Sequence, residues 1–240
     1  MCGRFTLTAK MRELIKQFVL RQAPEFRERT NIAPGQPVAA IREDRNLGGR
    51  ECAVLTWGLV PFWAKDPGIA FQLINARSET AAGKPAFKGP MRHKRCLIPA
   101  NGFYEWKDLG SGRKQPYYVR PANGGLLALA GLWEHWGSPD GSEIESCAIL
   151  TTAANDWMQP LHHRMPVLIQ PEDYARWLDT GLERASDVAD LLKAPPEDAL
   201  VRYPVSEAVN NARNEGPELI AEAAPPPSAP QQGSLFGDLF

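Results

Sequence analysis

Apolar residues recur at helical spacing close to the start of the chain, at Met11, Leu14, Ile15, Phe18 and Val19. A period near 3.6 residues is typical of an amphipathic helix that packs one face on a core. The pattern therefore predicts a helix over residues 8–19, with Thr8 as its capping residue.

Beyond this helix the apolar runs are short and are separated by clusters of Gly, Pro, Asn and Asp, as strands joined by turns should be. The predicted strands are Cys52–Trp57, Arg95–Pro99, Phe103–Trp106, Tyr117–Arg120, Leu126–Trp133, Cys147–Thr152 and Val167–Ile169. A second helix is expected to begin at Pro171, where Pro-Glu-Asp suits a first turn, and to run toward Leu178. A third helix is expected over Ser186–Lys193. The chain is therefore predicted to form one α+β domain over residues 2–222. This domain should be strand-rich, mainly antiparallel and barrel-like, with flanking helices.

Residues 223–240 differ in composition from the rest of the chain. The stretch from Ala223 to Pro230 reads AAPPPSAP, which cannot form a packed element and predicts a disordered tail. The tail then resembles the bacterial sliding-clamp binding pentapeptide at Gln232, Ser234, Leu235 and Phe236, but has Gly233 where the consensus has Leu. Five-residue motifs often arise by chance, so a clamp-binding peptide and an end without a partner both stay open.

The composition is that of an ordinary soluble globular protein, with 43% hydrophobic and 23% charged residues. No apolar run approaches the ~20 residues of a spanning helix, and no secretory signal opens the chain. Cys2, Cys52, Cys96 and Cys147 lie far apart, which fits a reducing compartment. The last three lie in apolar runs and are interpreted as small core residues. A cytoplasmic protein without a membrane contact is therefore expected.

The net charge of −1 conceals an asymmetry along the chain. The first 120 residues hold 21 Lys and Arg against 10 Asp and Glu, whereas the remaining residues hold 6 against 18. A basic half can attract the phosphates of a nucleic acid. Charge counts alone equally allow a solvated surface with no such partner.

Cys2 can carry unusual chemistry once the initiator Met1 is removed, which a small second residue favours. It then bears a free amine, with an unperturbed pKa of ~7.7–8.0, beside a thiol of pKa ~8.5. The amine can form a Schiff base with an aldehyde, and the thiol can close onto the same carbon to give a thiazolidine ring. An internal cysteine lacks the free amine. Position alone favours an incidental small residue, so the case depends on the rest of the chain.

Seven segments in order resemble the SOS response-associated peptidase (SRAP) family, the abasic-site processing proteins, over residues 2–220. They are Cys2-Gly3-Arg4-Phe5, Asn31-Ile32-Ala33-Pro34-Gly35, Trp57 to Trp63, Asn75 to Thr80, Cys96 to Trp106, His162 to Pro166, and Val205 to Pro217. The resemblance implies recognition of abasic sites in single-stranded DNA and a covalent thiazolidine crosslink through Cys2. Lyase activity is also implied as an option, since an imine can promote β-elimination.

The resemblance also implies catalytic roles for three further residues. Asn75 would position the reacting terminus or the opened sugar through its amide. Glu105 would move protons, and its place between Tyr104 and Trp106 favours a pKa raised by burial. His162 would transfer protons near neutral pH; only the family spacing selects it over His163.

A nucleic-acid interface is implied by the same resemblance. Its predicted members are Arg4, Asn31, Pro34, Trp63, Arg77, Lys84 and Arg164. Arginine forks suit phosphates, and Trp63 with the Ala33-Pro34 loop would stack on or wedge between bases. Arg77 and Arg164 each follow a catalytic candidate by two residues, so in extended chain they could share its face.

Two other functions stay open at this point. One is a cysteine peptidase with Cys2 as thiolate and His162 as base, as the family name suggests. The other is a single-strand binder without covalent chemistry. No cofactor is implied, and no metal site is expected, because His93 and Cys96 would supply only two ligands. If DNA is the partner, the protein should associate with the nucleoid.

Overall fold

The computed structural model describes residues 2–44, 48–110 and 112–223. In chain order the elements are β1 (Phe5–Leu7), α1 (Met11–Phe18), β2 (Arg29–Ile32), β3 (Pro37–Glu43), β4 (Arg50–Trp57), β5 (Asn75–Arg77), α2 (Ser78–Ala81), α3 (Pro85–His93), β6 (Arg95–Ala100), β7 (Gly102–Asp108), β8 (Lys114–Pro121), β9 (Leu127–Gly137), β10 (Glu143–Ala153), β11 (Arg164–Pro166), α4 (Tyr174–Leu178) and β12 (Leu200–Pro204). Short 3₁₀ turns connect several of these elements. The predictions for Gln232, Ser234, Leu235 and Phe236 lie outside the described residues.

Five strands close into a barrel. The order is β10-β4-β3-β6-β9, and β9 pairs back onto β10 along a long hairpin in which Gly131 lies opposite Ile149. All of these pairings are antiparallel except that of β4 with β10, which is parallel. β5 and β11 are added beside β10. The prediction of a strand-rich, barrel-like α+β fold is therefore confirmed.

A second, antiparallel sheet of order β12-β8-β7-β1-β2 lies against the barrel. The Phe5 ring of β1 lies 5.1 Å from the Trp57 ring of β4, so the two sheets share one apolar core. Cys2 lies directly before β1. The packing of β1 against the barrel therefore determines where the start of the chain is held.

Close packing in the barrel explains why β10 reads as an unbroken apolar run. Residues 146–152 of this strand are all buried, because β10 has neighbours on both edges and on both faces. Opposite it, a Cβ added to Gly131 would lie 2.8 Å from the Cys96 sulfur. Only glycine fits there.

The helix expected from Pro171 is a 3₁₀ turn over Pro171–Asp173 that continues as α4. Three further predicted elements differ from the observed ones. The helix begins after Lys10 rather than at Thr8, because the main-chain N–H of Thr8 is bound by the Asn101 side chain at 2.7 Å. The strand expected at Val167–Ile169 lies three residues earlier, at β11; Leu168 forms only an isolated bridge with Leu129. The helix expected over Ser186–Lys193 is a 3₁₀ turn, Ala185–Leu191.

Several elements were not predicted from the pattern, namely β1, β2, β3, β5, α2, α3 and β12. α3 contains Gly89 and Pro90 in its interior, which normally argue against a helix. None of the helices in the described part of the chain is long and apolar enough to cross a membrane.

Candidate active site

The start of the chain is held beside Glu105 by strand pairing. Phe5 of β1 lies opposite Phe103 of β7, and the Tyr104 N–H donates to the Arg4 carbonyl at 2.9 Å. Because the pairing is antiparallel, its continuation brings Glu105 opposite the residues that precede Arg4. Cys2 is fully buried there. Asn75, the first residue of β5, donates from Nδ2 to the Cys2 carbonyl at 2.8 Å.

Glu105 is a buried carboxyl group poised to titrate near neutral pH. Its side chain points into the protein from β7 and is only 2% exposed. Burial raises its pKa to about 7. Glu105 can therefore both accept and donate a proton at neutral pH.

His162 is held through Nδ1 by the main chain of Arg164. Nδ1 lies 2.9 Å from the Arg164 nitrogen, whose N–H donates to it, and 3.2 Å from the Arg164 carbonyl oxygen. The shorter contact favours the neutral tautomer with its proton on Nε2. Burial lowers the His162 pKa to about 4. At pH 7 the ring is therefore neutral and offers an Nε2–H donor. This corrects the expectation that His162 itself gains and loses a proton near neutral pH.

Glu105 and His162 both line an open cleft of about 700 Å³, whereas Cys2 is buried behind its wall. Its lining residues are Arg4, Glu105, Trp106, Gly112, Arg113, Lys114, His162, Glu207 and Asn210. His162 lines the cleft, whereas the exposed His163 does not, although the two rings stack with centroids 4.3 Å apart. Arg113 and Lys114, on the hairpin between β7 and β8, were missed by sequence reasoning because turn cations are common on any surface.

Arg4 is held in the cleft wall by a buried amide. Its Nη1 donates to Asn31 Oδ1 at 2.7 Å and to the Val209 carbonyl at 2.9 Å. Asn31 is fully buried and its Nδ2 donates to the carbonyls of Val209, Asn211 and Asn214. Asn31 was predicted to contact DNA directly, but its buried side chain is already hydrogen-bonded within the protein. Asn31 instead orients Arg4 and secures the closing segment.

The two other predicted arginines lie in contrasting environments. Arg77, at the end of β5, is exposed, and its side chain makes no hydrogen bond or ion pair within the described ranges. Arg164 is buried, and its guanidinium binds the Glu79 carboxylate at 2.7 and 2.9 Å. Arg77 is thus available to a phosphate, whereas Arg164 is already paired. Lys84 is exposed and directly precedes α3.

Three large aromatic side chains are exposed. Phe62 is 66% exposed, Trp63 48% and Phe71 71%. Phe71 lies over the loop that contains Pro34, since a Cβ added to Gly35 would be 3.3 Å from the Phe71 ring. Exposed aromatic groups of this size mark interaction surfaces. Phe62 and Phe71 were not singled out from the sequence, because apolar residues beside Pro and Ala read as core.

The remaining cysteines and histidines form no further reactive cluster. Cys96 and Cys147 are fully buried and Cys52 is half-buried. In residues 2–44, 48–110 and 112–223, no group of three His, Cys, Asp or Glu side chains is placed to hold a metal ion.

Comparisons with known proteins agree with this geometry. A family model described as SOS response associated peptidase (SRAP) matches residues 1–212, which include every residue of the cleft. The abasic site processing protein YoqW of Bacillus subtilis is 40% identical over 223 residues, covering 92% of this chain and 99% of YoqW. The abasic site processing protein HMCES of Rattus norvegicus is 31% identical over 85% of this chain and 69% of HMCES. A crystal structure of a Bacteroides thetaiotaomicron protein matches with a TM-score of 0.83 at 25% identity, over 93% of this chain and 100% of that chain.

Proposed function

The chain belongs to the SOS response associated peptidase (SRAP) family, and on that footing we propose that it captures the aldehyde of an abasic site in single-stranded DNA on Cys2. The names of two relatives, both abasic site processing proteins, support the substrate class. The observation that carries the proposal is the position of Cys2. Asn75 binds its carbonyl, and Glu105 lies beside it at a cleft with cationic walls. An adduct of protein and DNA that survives denaturation would test it.

The proposed reaction begins when loss of Met1 makes Cys2 the amino terminus. Its amine adds to the aldehyde carbon of the ring-opened sugar to give a carbinolamine. Loss of the hydroxyl group as water gives the imine. The thiol then adds to the imine carbon and its proton moves to the nitrogen, which closes a thiazolidine. The product is protein plus DNA minus one water.

Each polar group near Cys2 is proposed to act in one of these reaction steps. Glu105 as carboxylate takes a proton from the ammonium of Cys2, and as carboxylic acid it returns that proton to the departing hydroxyl group. Neutral His162 donates from Nε2 to an oxygen of the opened sugar. Asn75 fixes the main chain of Cys2, so that amine and thiol are held in one orientation. The imine also acidifies the adjacent C–H, so β-elimination, the lyase reaction, is open to the same intermediate.

Cationic side chains on both sides of the cleft are proposed to hold the DNA backbone. Arg4 would contact a phosphate next to the lesion, with Arg113 and Lys114 on the hairpin side and Arg77 on the β5 side. The exposed aromatic rings near Pro34 would stack on neighbouring bases, since every base offers a π face. An abasic site has no base to stack on its neighbours. Such a surface could therefore separate the two flanking bases with little loss of stacking free energy.

Removing the two hairpin cations should weaken DNA binding in a salt-dependent way. A plot of the logarithm of the DNA association constant against the logarithm of the salt concentration has a negative slope. We expect Arg113→Ala/Lys114→Ala to make this slope less steep by ~1.4, because each phosphate contact to a single strand contributes ~0.7. Fluorescence anisotropy with an undamaged oligonucleotide measures this slope. The matched control is Arg12→Ala/Lys16→Ala on the exposed face of α1, outside the cleft. An unchanged slope in the hairpin variant would remove Arg113 and Lys114 from the interface.

The peptidase alternative is less well supported by the site. Attack on an unactivated peptide carbonyl needs a thiolate and therefore a lowered thiol pKa, whereas a protonated imine is electrophilic enough to accept the thiol as its proton leaves. Burial instead raises the pKa of the Cys2 thiol well above its usual range, and the charge of Glu105 raises it further. The Nδ1 of His162 already accepts a hydrogen bond from Arg164, and its low pKa makes it a weak base. A binder without chemistry would have no use for a buried carboxyl group beside the amino terminus.

The tail is proposed to dock the protein on the sliding clamp through Gln232, Ser234, Leu235 and Phe236. The support is the sequence resemblance and its location after a Pro-rich stretch. Deleting Gln232–Phe240 should abolish retention on an immobilised clamp while leaving the crosslinking rate unchanged. Equal retention of the full-length and truncated proteins would contradict clamp docking and leave the proposal for Cys2 intact.

A further inference from the structure

A stretch of the chain without acidic residues carries several cations. Residues 80–104 contain no Asp or Glu and five Lys and Arg. Two of the five have partners in the fold, since Lys94 is paired with Glu134, and the buried Arg95 donates to main-chain carbonyls. The other three side chains are exposed and make no hydrogen bond or ion pair within the described part of the chain. They belong to Lys84, Lys88 and Arg92.

These three cations lie on one face of α3, and we call them the α3 stripe. Lys84 is the N-cap of the helix, and Lys88 and Arg92 follow at intervals of four residues. Residues four apart are neighbours on a helix surface, about 6 Å apart along its axis. The opposite face of α3 is buried through Phe87 and Met91, which fixes the helix to β6 and β9. The cations are therefore presented in a regular row on a fixed surface.

This arrangement of charges disfavours the helix that carries it. A lysine at the N-cap faces the positive end of the helix dipole, and α3 has no acidic residue in its first turn to compensate. Lys88 and Arg92 repel each other across one turn. Gly89 and Pro90 weaken the interior of the same helix. An anion bound from outside the chain would offset the charge repulsion, so the row is better explained by a partner than by a contribution to folding.

A cavity of about 210 Å³ opens beside the α3 stripe. Its charged lining comes from Lys88, Arg92 and Arg184, and its apolar lining from Met91 and two alanines. Arg184 is also paired with Asp187 at 3.3 Å. A nucleotide suits such a lining, because its phosphate is charged while its sugar and base offer apolar faces.

The α3 stripe follows directly on the part of the surface that ends at Arg77. Arg77 is the last residue of β5, α2 comes next, and the main-chain N–H of Lys84 donates to the Thr80 carbonyl of α2 at 3.2 Å. We propose that the α3 stripe binds backbone phosphates of the DNA strand after it has passed Arg77, away from the lesion. The inference rests on the proposed function for the identity of the partner and extends the contact with DNA beyond the cleft. A regular row of cations suits a polyanion, whose charges also repeat at regular intervals.

Removing two cations of the stripe should weaken binding to long DNA only. With an undamaged single strand of about 20 nucleotides, Lys88→Ala/Arg92→Ala should make the salt slope of the association constant less steep by ~1.4, or ~0.7 for each lost phosphate contact. With a strand of about five nucleotides, enough for the cleft alone, slope and Kd should equal those of the wild type. Fluorescence anisotropy over a series of salt concentrations measures both.

Two controls accompany this measurement. Arg12→Ala/Lys16→Ala removes the same two residue types at the same spacing from the exposed face of α1, and should bind both strands as the wild type does. The melting temperature of Lys88→Ala/Arg92→Ala should equal or exceed that of the wild type, because the substitution removes repulsion and alanine favours a helix. If it melts lower, Lys88→Gln/Arg92→Gln replaces it in the same comparison of strand lengths.

The comparison of lengths decides the inference. An unchanged salt slope with the long strand would overturn it, because the stripe would then hold no phosphate. An equal loss with both strands would overturn it as well, because the two residues would then act in the cleft. A wild type that shows the expected dependence on length but forms no adduct with an abasic site would overturn the capture by Cys2 and leave the role of the α3 stripe standing.

Discussion

Replacing Glu105 with glutamine is expected to slow crosslink formation about a hundredfold or more, the usual contribution of a positioned acid or base. Glutamine keeps the size and hydrogen-bonding atoms of the side chain but cannot carry the proton from the amine to the departing hydroxyl group. The measurement is the single-turnover rate with a single-stranded oligonucleotide that contains one abasic site.

The pH dependence of that rate should change shape as well. In the wild type the productive state carries one proton shared between Glu105 and the Cys2 amine, so the profile should be bell-shaped with its acid limb near pH 7. In Glu105→Gln only the amine titrates, and the rate should simply rise toward alkaline pH. An alkaline limb that persists in the variant would show that another group carries the proton.

Stability measurements distinguish this loss from unfolding. Since the pKa of Glu105 rises from 4.5 to about 7 on folding, the buried carboxylate destabilises the wild type above pH 7 and has no such effect below pH 4.5. This pKa difference corresponds to about 3 kcal/mol in the free energy of unfolding. Glu105→Gln should therefore melt at a higher temperature than the wild type at pH 8, and this gain should shrink as the pH falls toward 4.5. A lower melting temperature at pH 8 would mean that the carboxylate is stabilised by its surroundings.

Replacing Cys2 with alanine is expected to abolish every adduct that survives denaturation. The variant retains the α-amine, and its small second residue still favours loss of Met1, so it can form the imine but cannot close the ring. The imine hydrolyses when the protein unfolds. Adding cyanoborohydride during the reaction should convert it to a stable amine and restore an adduct, detected by gel shift.

Cys52→Ala is the matched control, since it removes another thiol and leaves the amino terminus intact. It should form the adduct at the wild-type rate without a reducing agent. A denaturation-resistant adduct with Cys2→Ala in the absence of cyanoborohydride would mean that the thiol does not close the ring. Failure of cyanoborohydride to trap anything would mean that the amine is not the nucleophile.

The strand pattern predicts the barrel well because its strands are buried on both faces. The run Cys147–Thr152 reads as a strand at any position in a sheet, and it forms the centre of β10. β11 was misplaced because it begins with Arg164 and ends with Pro166, and neither residue type signals a strand. Its strand character comes from pairing with β10 and from the Glu79–Arg164 pair. Local sequence therefore carries little information about it.

The reactive site, too, could be predicted from the sequence only in part. Cys2, Glu105 and His162 could be nominated by residue type and motif, and the structure brings Glu105 and His162 to one cleft beside Cys2. The burial of Arg164 could not be foreseen, because its partner Glu79 is 85 residues away along the chain. The low pKa of His162 likewise depends on burial, which only the folded chain produces.

Intact mass after denaturation tests the capture of the aldehyde most directly. Purified protein would be mixed with a single-stranded oligonucleotide bearing one abasic site, beside the same oligonucleotide without the lesion. The account predicts a species equal to the protein without Met1 plus DNA minus one water, only with the lesion and only when Cys2 is present. Absence of this species from a protein shown by the same spectrum to lack Met1 would contradict it.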